Sequence, residues 1–149
     1  MSYSLRAFFK QDQEPSPWVL QTPVDVDTLI DAVLSEPPTN SVITLYVAER
    51  PKTEHDMPDH ELRVAINQES KVGGVRYSGP HDGGAGVWYA AGALSERDEV
   101  FYYYMGHDEG WPQDSEVSLD TIRAAVKSLL LSGGRMTDIQ WREWPRLVS

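Results

Sequence analysis

There is no cysteine among the 149 residues, so a disulfide frame, a thiolate zinc site and a cysteine nucleophile are all excluded. No stretch approaches the roughly 20 apolar residues that a membrane span requires, and residues 1–6 are not followed by the apolar run of a secretory signal. A cytoplasmic location is therefore expected. Basic side chains are scarce: 13 lysines and arginines stand against 23 aspartates and glutamates, a formal charge of −10. That balance repels phosphate backbones and anionic lipid and attracts basic surfaces, which argues against nucleic acid and membranes as partners. Internal repeats, low-complexity tracts and coiled-coil heptads are also missing.

The length suits a single domain over residues 1–149, large enough to bury a core of its own. Its organising stretch is 99–144. Val100, Phe101, Tyr102, Tyr103, Tyr104 and Met105 are β-branched, aromatic or apolar and stop at Gly106, which reads as a strand able to bury both faces and so as the central strand. Residues 107–114 carry turn chemistry. Ser118 offers a hydroxyl to cap a helix whose apolar positions Leu119, Ile122, Ala125, Val126, Leu129 and Leu130 recur at three- and four-residue steps, and Gly133-Gly134 ends it. Ile139, Trp141 and Trp144 suit a closing aromatic strand.

Upstream, alternation of Leu5, Ala7 and Phe9 with Arg6, Phe8 and Lys10 predicts a first strand, and residues 18–20 a short extended piece. Asp25 or Asp27 is positioned to cap a helix bearing Val26, Leu29, Ile30, Val33 and Leu34 on one face, which Pro37-Pro38 ends. Strands are predicted over 42–47, 62–66, 73–77 and 86–92. The last two read as a hairpin, with Gly73-Gly74 and Gly83-Gly84 as turn or bulge glycines. Short loops between strands favour antiparallel pairing. The fold class expected is α+β: one antiparallel, possibly mixed, sheet of about six or seven strands with two amphipathic helices on one face.

Enzymatic patterns are weak. His55, Asp56, Asp59 and His60 are acceptable ligands for a divalent ion, but their spacing is no recognised signature and they share one Pro-containing loop. His107-Asp108 resembles an oriented general base, yet a nucleophile or stabilising donors at matched geometry would also be needed. Neither glycine pair belongs to a phosphate-binding fingerprint, and the Gly-Gly-Arg at 133–135 follows a helix C-terminus, whose negative dipole end disfavours anions. No catalytic residue, metal or cofactor is assigned.

The distribution of acids is more informative. Residues 95–116 hold seven acids (Glu96, Asp98, Glu99, Asp108, Glu109, Asp114 and Glu116) and one base, Arg97, and residues 54–61 hold four more acids with no lysine or arginine. Loops that converged at one edge would present these groups to a basic partner.

The ordered combination of Gly73-Gly74-Val75, Trp88-Tyr89 with Gly92, the run from Tyr102 through Met105-Gly106-His107-Asp108, Pro112, Asp114-Ser115-Glu116-Val117, Arg123 with Ala125-Val126, Gly133-Gly134-Arg135 and Ile139-Gln140-Trp141 resembles the first-numbered immunity-protein (Imm) family of bacterial polymorphic toxin systems. The resemblance covers about the C-terminal two-thirds of the chain. It departs from the family pattern at Met136, where proline is common, and at Trp111, where phenylalanine is usual. It implies a non-enzymatic inhibitor that protects the producing cell from a cognate toxin, often a deaminase acting on nucleic acid. Such a toxin needs a basic groove, and the acidic residues above would occlude it, with Trp88 and Trp111 as candidate aromatic anchors. The expected partner is thus a toxin with a basic surface, with oligomeric state left open. Two other readings remain at this level: a scaffold for another basic protein, and an enzyme using His107.

Overall fold

The structure, a computed structural model, describes residues 3–13, 15–81 and 84–145. Its strands are β1 (Leu5–Phe8), β2 (Trp18–Leu20), β3 (Val42–Val47), β4 (Glu61–Asn67), β5 (Val72–His81), β6 (Gly84–Ala90), β7 (Val100–Tyr104), β8 (His107–Trp111), β9 (Val117–Ser118) and β10 (Trp141–Glu143). The helices are α1 (Pro23–Leu34) and α2 (Leu119–Ser132), with short 3-10 turns at Gln11–Gln13 and Pro38–Asn40. Eight strands form one antiparallel sheet in the order β10-β6-β5-β4-β3-β1-β2, with β9 added beside β5. The α+β class follows as expected.

Strand alternation sorts the side chains onto two faces. Ile43, Leu45 and Val47 of β3, Leu62, Val64 and Ile66 of β4, and Val75 and Tyr77 of β5 point to one side. There they meet Val26, Leu29, Ile30 and Val33 of α1 and Ile122, Ala125, Val126, Leu129 and Leu130 of α2 in one continuous core. Each such aliphatic side chain contributes about 1.5–3 kcal/mol when removed from water, and this cluster is the main source of stability. Arg123 donates to Asp27 and Asp31 (2.9 and 2.7 Å) and Lys127 to Asp27 (3.1 Å), tying the two helices together at the surface.

The helix ends follow from local chemistry. Ser118 accepts from the Thr121 amide at 3.2 Å, and Gly133, at φ +73°, supplies the left-handed cap. In α1 the cap is Thr22, not Asp25 or Asp27. Asp25 sits three positions inside and its carboxylate accepts from the Gln21 and Thr22 amides, completing a reciprocal capping box. Pro23 at the first helical position fixes that start.

Two expectations are overturned. The aromatic run at 100–104 is not the central strand of the sheet: it pairs only with β8, in a separate two-stranded hairpin. Met105 and Gly106, at φ +50° and +87°, turn the chain back at once, so residues 107–111 form the returning strand rather than a loop. The hairpin lies over the face of the sheet that the helices leave open, burying Val100, Tyr102 and Trp111 against Val42 and Ala65. It is fastened at one edge, where Ser41 donates its amide to the Tyr103 carbonyl (2.9 Å) and its hydroxyl accepts from the Tyr103 amide (2.8 Å).

Gly73 and Gly74 lie in β5, within the strand expected over 73–77, but in unbroken register and so as neither turn nor bulge residues. A Cβ on Gly74 would come within 2.7 Å of the Trp111 ring, and one on Gly73 within 1.8 Å of the Ala65 carbonyl oxygen. Only a bare backbone lets the hairpin and the neighbouring strand approach this closely.

Candidate interaction surface

Hairpin β7–β8 and the segment leading into it carry five of the seven acids of residues 95–116. Gln113 donates its amide to the carbonyls of Ser95 (3.0 Å) and Arg97, which staples residues 95–97 to the exit of β8. The Arg97 guanidinium lies 5.1 Å above the Tyr102 ring and donates to its hydroxyl at 3.2 Å. Glu96, Asp98 and Glu99 are therefore held at the base of the hairpin, exposed. Asp108 is exposed on the outer side of β8, three residues or about 10 Å farther along the strand than Trp111. Among the described residues these four carboxylates make no ion pair or hydrogen bond.

Of the other three acids of this stretch, two have internal partners. Glu109 meets the Arg63 guanidinium, which also donates Nε–H to Glu61 at 2.7 Å, and Glu61 in turn accepts from the Tyr46 hydroxyl at 2.7 Å. Asp114 accepts from the Tyr89 hydroxyl at 2.7 Å and pairs with Arg142; the Tyr89 hydrogen bond above all holds its carboxyl below the usual range. Glu116 is half-buried and its backbone bridges to Ala93, while its carboxylate makes no ion pair or hydrogen bond among the described residues. Trp111 is only 6% exposed, its ring set 5.6 Å from Tyr102 and 5.1 Å from Trp144, so it belongs to the interior under the hairpin and not to its outer surface. Trp88 is half-buried against the helix-side core, with the Arg135 guanidinium 5.0 Å from its ring.

Beneath the hairpin runs a row that sequence reading missed. The sheet register places Thr44, Arg63, Arg76, Tyr89 and Arg142 side by side on adjacent strands, all facing away from the helices. Tyr104 lies 5.1 Å from Arg63 and Trp144 4.5 Å from Arg76, so rings from the hairpin and the C-terminal segment cover the cations. The one signal available beforehand was that Glu61 and Arg63 alternate with the apolar residues of β4 and so must share the opposite face.

The enzyme-like patterns dissolve in this geometry. His107 and Asp108 are consecutive in a strand and so point to opposite faces of the hairpin. His60 is buried: its Nε2 accepts the Val47 amide at 2.8 Å, which leaves Nδ1 protonated to donate to Asp59 at 2.8 Å. Burial lowers the His60 pKa and keeps the ring neutral. His55 and Asp56 are exposed at the far side of the same loop. Among the described residues no three His, Asp or Glu side chains are grouped to hold a metal ion.

These features define an α+β frame, helices on one face of the sheet and a charged hairpin displayed on the other. The chain belongs to the Imm1 immunity protein family: the family model described as Immunity protein Imm1 matches residues 14–143, most of its length. It is therefore an immunity protein, a class whose role implies a cognate toxin and its neutralisation. No curated protein matches the chain. Among the described residues no helix is long and apolar enough to cross a membrane.

Proposed function

We propose that this protein neutralises its cognate toxin in the cytoplasm by binding it, without turnover, and that Glu96, Asp98, Glu99 and Asp108 form the part of the contact that faces a basic groove. The observation that carries this reading is the split within the acidic stretch: these four carboxylates are exposed and free of internal partners, while Glu109 and Asp114 are engaged by arginines of the sheet and Glu116 is half-buried. Exposed like charges on a hairpin and on the segment stapled to its base raise a field that speeds association with an oppositely charged surface. The natural target is a toxin that must itself hold a polyanion, and a deaminase acting on nucleic acid, with a basic channel leading to its pocket, fits that requirement. Occluding the channel requires no chemistry from the inhibitor. In this reading Glu109 and Asp114 serve the fold through Arg63, Tyr89 and Arg142, Trp111 anchors the hairpin from inside, and Trp88, packed against the helix-side core, is left out of the contact.

The test is association of the purified chain with the toxin encoded by the neighbouring gene, followed with salt. Nanomolar binding that weakens as salt rises, with no turnover of nucleotide or peptide substrates, is the expected result. Changing Asp98 and Asp108 to lysine should slow association at least tenfold at low salt and leave the melting temperature unchanged. An unchanged association rate would remove the acidic hairpin from the contact.

A further inference from the structure

At the tip of the hairpin the sign of the surface reverses. A cleft of about 360 Å³ opens there between the tip, β1, β3 and the 48–60 segment, and Arg6, Phe8, Tyr46, Arg50, Lys52 and Tyr104 are prominent in its lining. That volume is at the small end of the roughly 300–1,000 Å³ of ligand pockets. No aspartate or glutamate lines it, although the chain as a whole carries −10. The nearest acids are turned elsewhere: Glu49 holds the Ser4 amide and hydroxyl at 2.7 and 2.6 Å, Asp59 holds Arg50 and His60, and Glu61 holds Arg63 and Tyr46.

The cations are not equally committed. Arg50 is locked, donating to the Tyr77 hydroxyl (3.2 Å), the Gly133 carbonyl (3.2 Å) and Asp59 (3.0 Å). Arg6 forms no ion pair among the described residues, although its charge acts on the nearby Glu49 carboxylate, and Lys52 has only a loose pair, 3.8 Å from an exposed Asp56. The wall between them is aromatic and fixed: Phe8 and Tyr46 meet edge to face at 6.0 Å, and the Tyr104 and Thr44 hydroxyls lie 3.2 Å apart. Two cations with hydrogen-bonding capacity to spare over an apolar wall attract a carboxylate more strongly than the same cations would in open water, because the wall displaces solvent on one side.

We infer that this cleft receives an aspartate or glutamate side chain of the cognate toxin, held by Arg6 and Lys52. The contact is then two-signed: free acids along the hairpin meet the basic part of the toxin, and the tip accepts an acid beside it. A surface of one sign recognises any basic protein, whereas a pattern of both signs fixes register and rejects partners that lack the acid. This rests on the reading of the chain as a toxin-binding inhibitor, and it makes a prediction opposite to acidic occlusion alone.

The test compares Arg6→Glu/Lys52→Glu with the wild type in binding the toxin of the neighbouring gene. Occlusion by acidity alone would make the more acidic double variant bind as well or better. The cleft requires it to bind at least tenfold more weakly, with Arg6→Gln/Lys52→Gln in between. Lys71→Glu, on the turn at the opposite end of β4, controls for added charge and should stay within about twofold. Both altered side chains are solvent-accessible, so melting curves should coincide, and one Asp→Lys or Glu→Lys change in the toxin should restore binding to the double glutamate variant. Undiminished binding by the folded double variant overturns the cleft and leaves the acidic hairpin standing. Failure of the wild type to bind the toxin at all overturns both.

Discussion

Arg63 joins the sheet to the hairpin, and its removal gives the most informative perturbation of the fold. Its side chain is 17% exposed and lies between Glu61 and Glu109, each 21% exposed, so all three charges are largely withdrawn from water. Arg63→Met keeps the stem and its packing while leaving two half-buried carboxylates without their cation. Stranding one fully buried charge costs about 3–5 kcal/mol. The residual solvent contact of both acids, the hydroxyl that Tyr46 still gives Glu61, and the charge of neighbouring Arg76, which acts on both carboxylates, reduce this to about 2–3 kcal/mol. For a chain of this length that corresponds to a melting temperature lower by about 5–10 °C. Glu109→Gln alone should cost less, about 1 kcal/mol, because Arg63 keeps Glu61. The double variant should be more stable than the sum of the singles by at least about 1 kcal/mol, since neutralising Glu109 removes one of the two stranded charges. Urea unfolding of the four proteins, monitored by tryptophan fluorescence, measures the cycle; Trp111 at the end of β8 and Trp144 packed against it report on the seating of the hairpin. An Arg63→Met cost under about 0.5 kcal/mol, or strict additivity, would refute the view that this pair pins the hairpin to the sheet.

Gly74→Ala should lower stability by about 1–3 kcal/mol in the same unfolding assay, because its Cβ would press on the Trp111 ring, which is walled in by Tyr102 and Trp144. Ser118→Ala should cost about 1 kcal/mol through loss of the α2 cap, read as a lower urea midpoint with unchanged slope. Stability should also fall as pH drops below about 6.5. The folded His60 pKa lies under its ordinary value, so the unfolded chain takes up the proton first, and the contribution is present above that value and lost as pH falls through the folded pKa. Urea midpoints at pH 7.5 and 5 measure the loss, and a His60→Gln variant should be less stable at both but show a flatter dependence.

Local elements were written plainly in the chain. The apolar spacing of α2 with Ser118 before it and Gly133 after it locates that helix almost to the residue, because periodicity and capping are properties of neighbours in sequence. The same holds for β3 and β4. The partners of strands are a different matter: the run at 100–104 has the composition of a central strand, yet its place depends on the two-residue turn at Met105-Gly106 and on the room left by Gly74, which lies far away in sequence. Composition shows that a strand wants burial on both faces without showing what will bury it.

The sequence by itself determined the class of fold, the two helices, the excess of negative charge and its concentration between residues 95 and 116, all of which depend on residue type and local spacing. Tertiary structure alone decided which acids are free. Arg63, Arg142 and Tyr89 arrive from other strands to engage Glu109 and Asp114, while nothing among the described residues reaches Glu96, Asp98, Glu99 or Asp108. The physical reason is that a charge is neutralised only by a partner a few ångströms away, and such distances between remote segments exist only once the sheet has set its register.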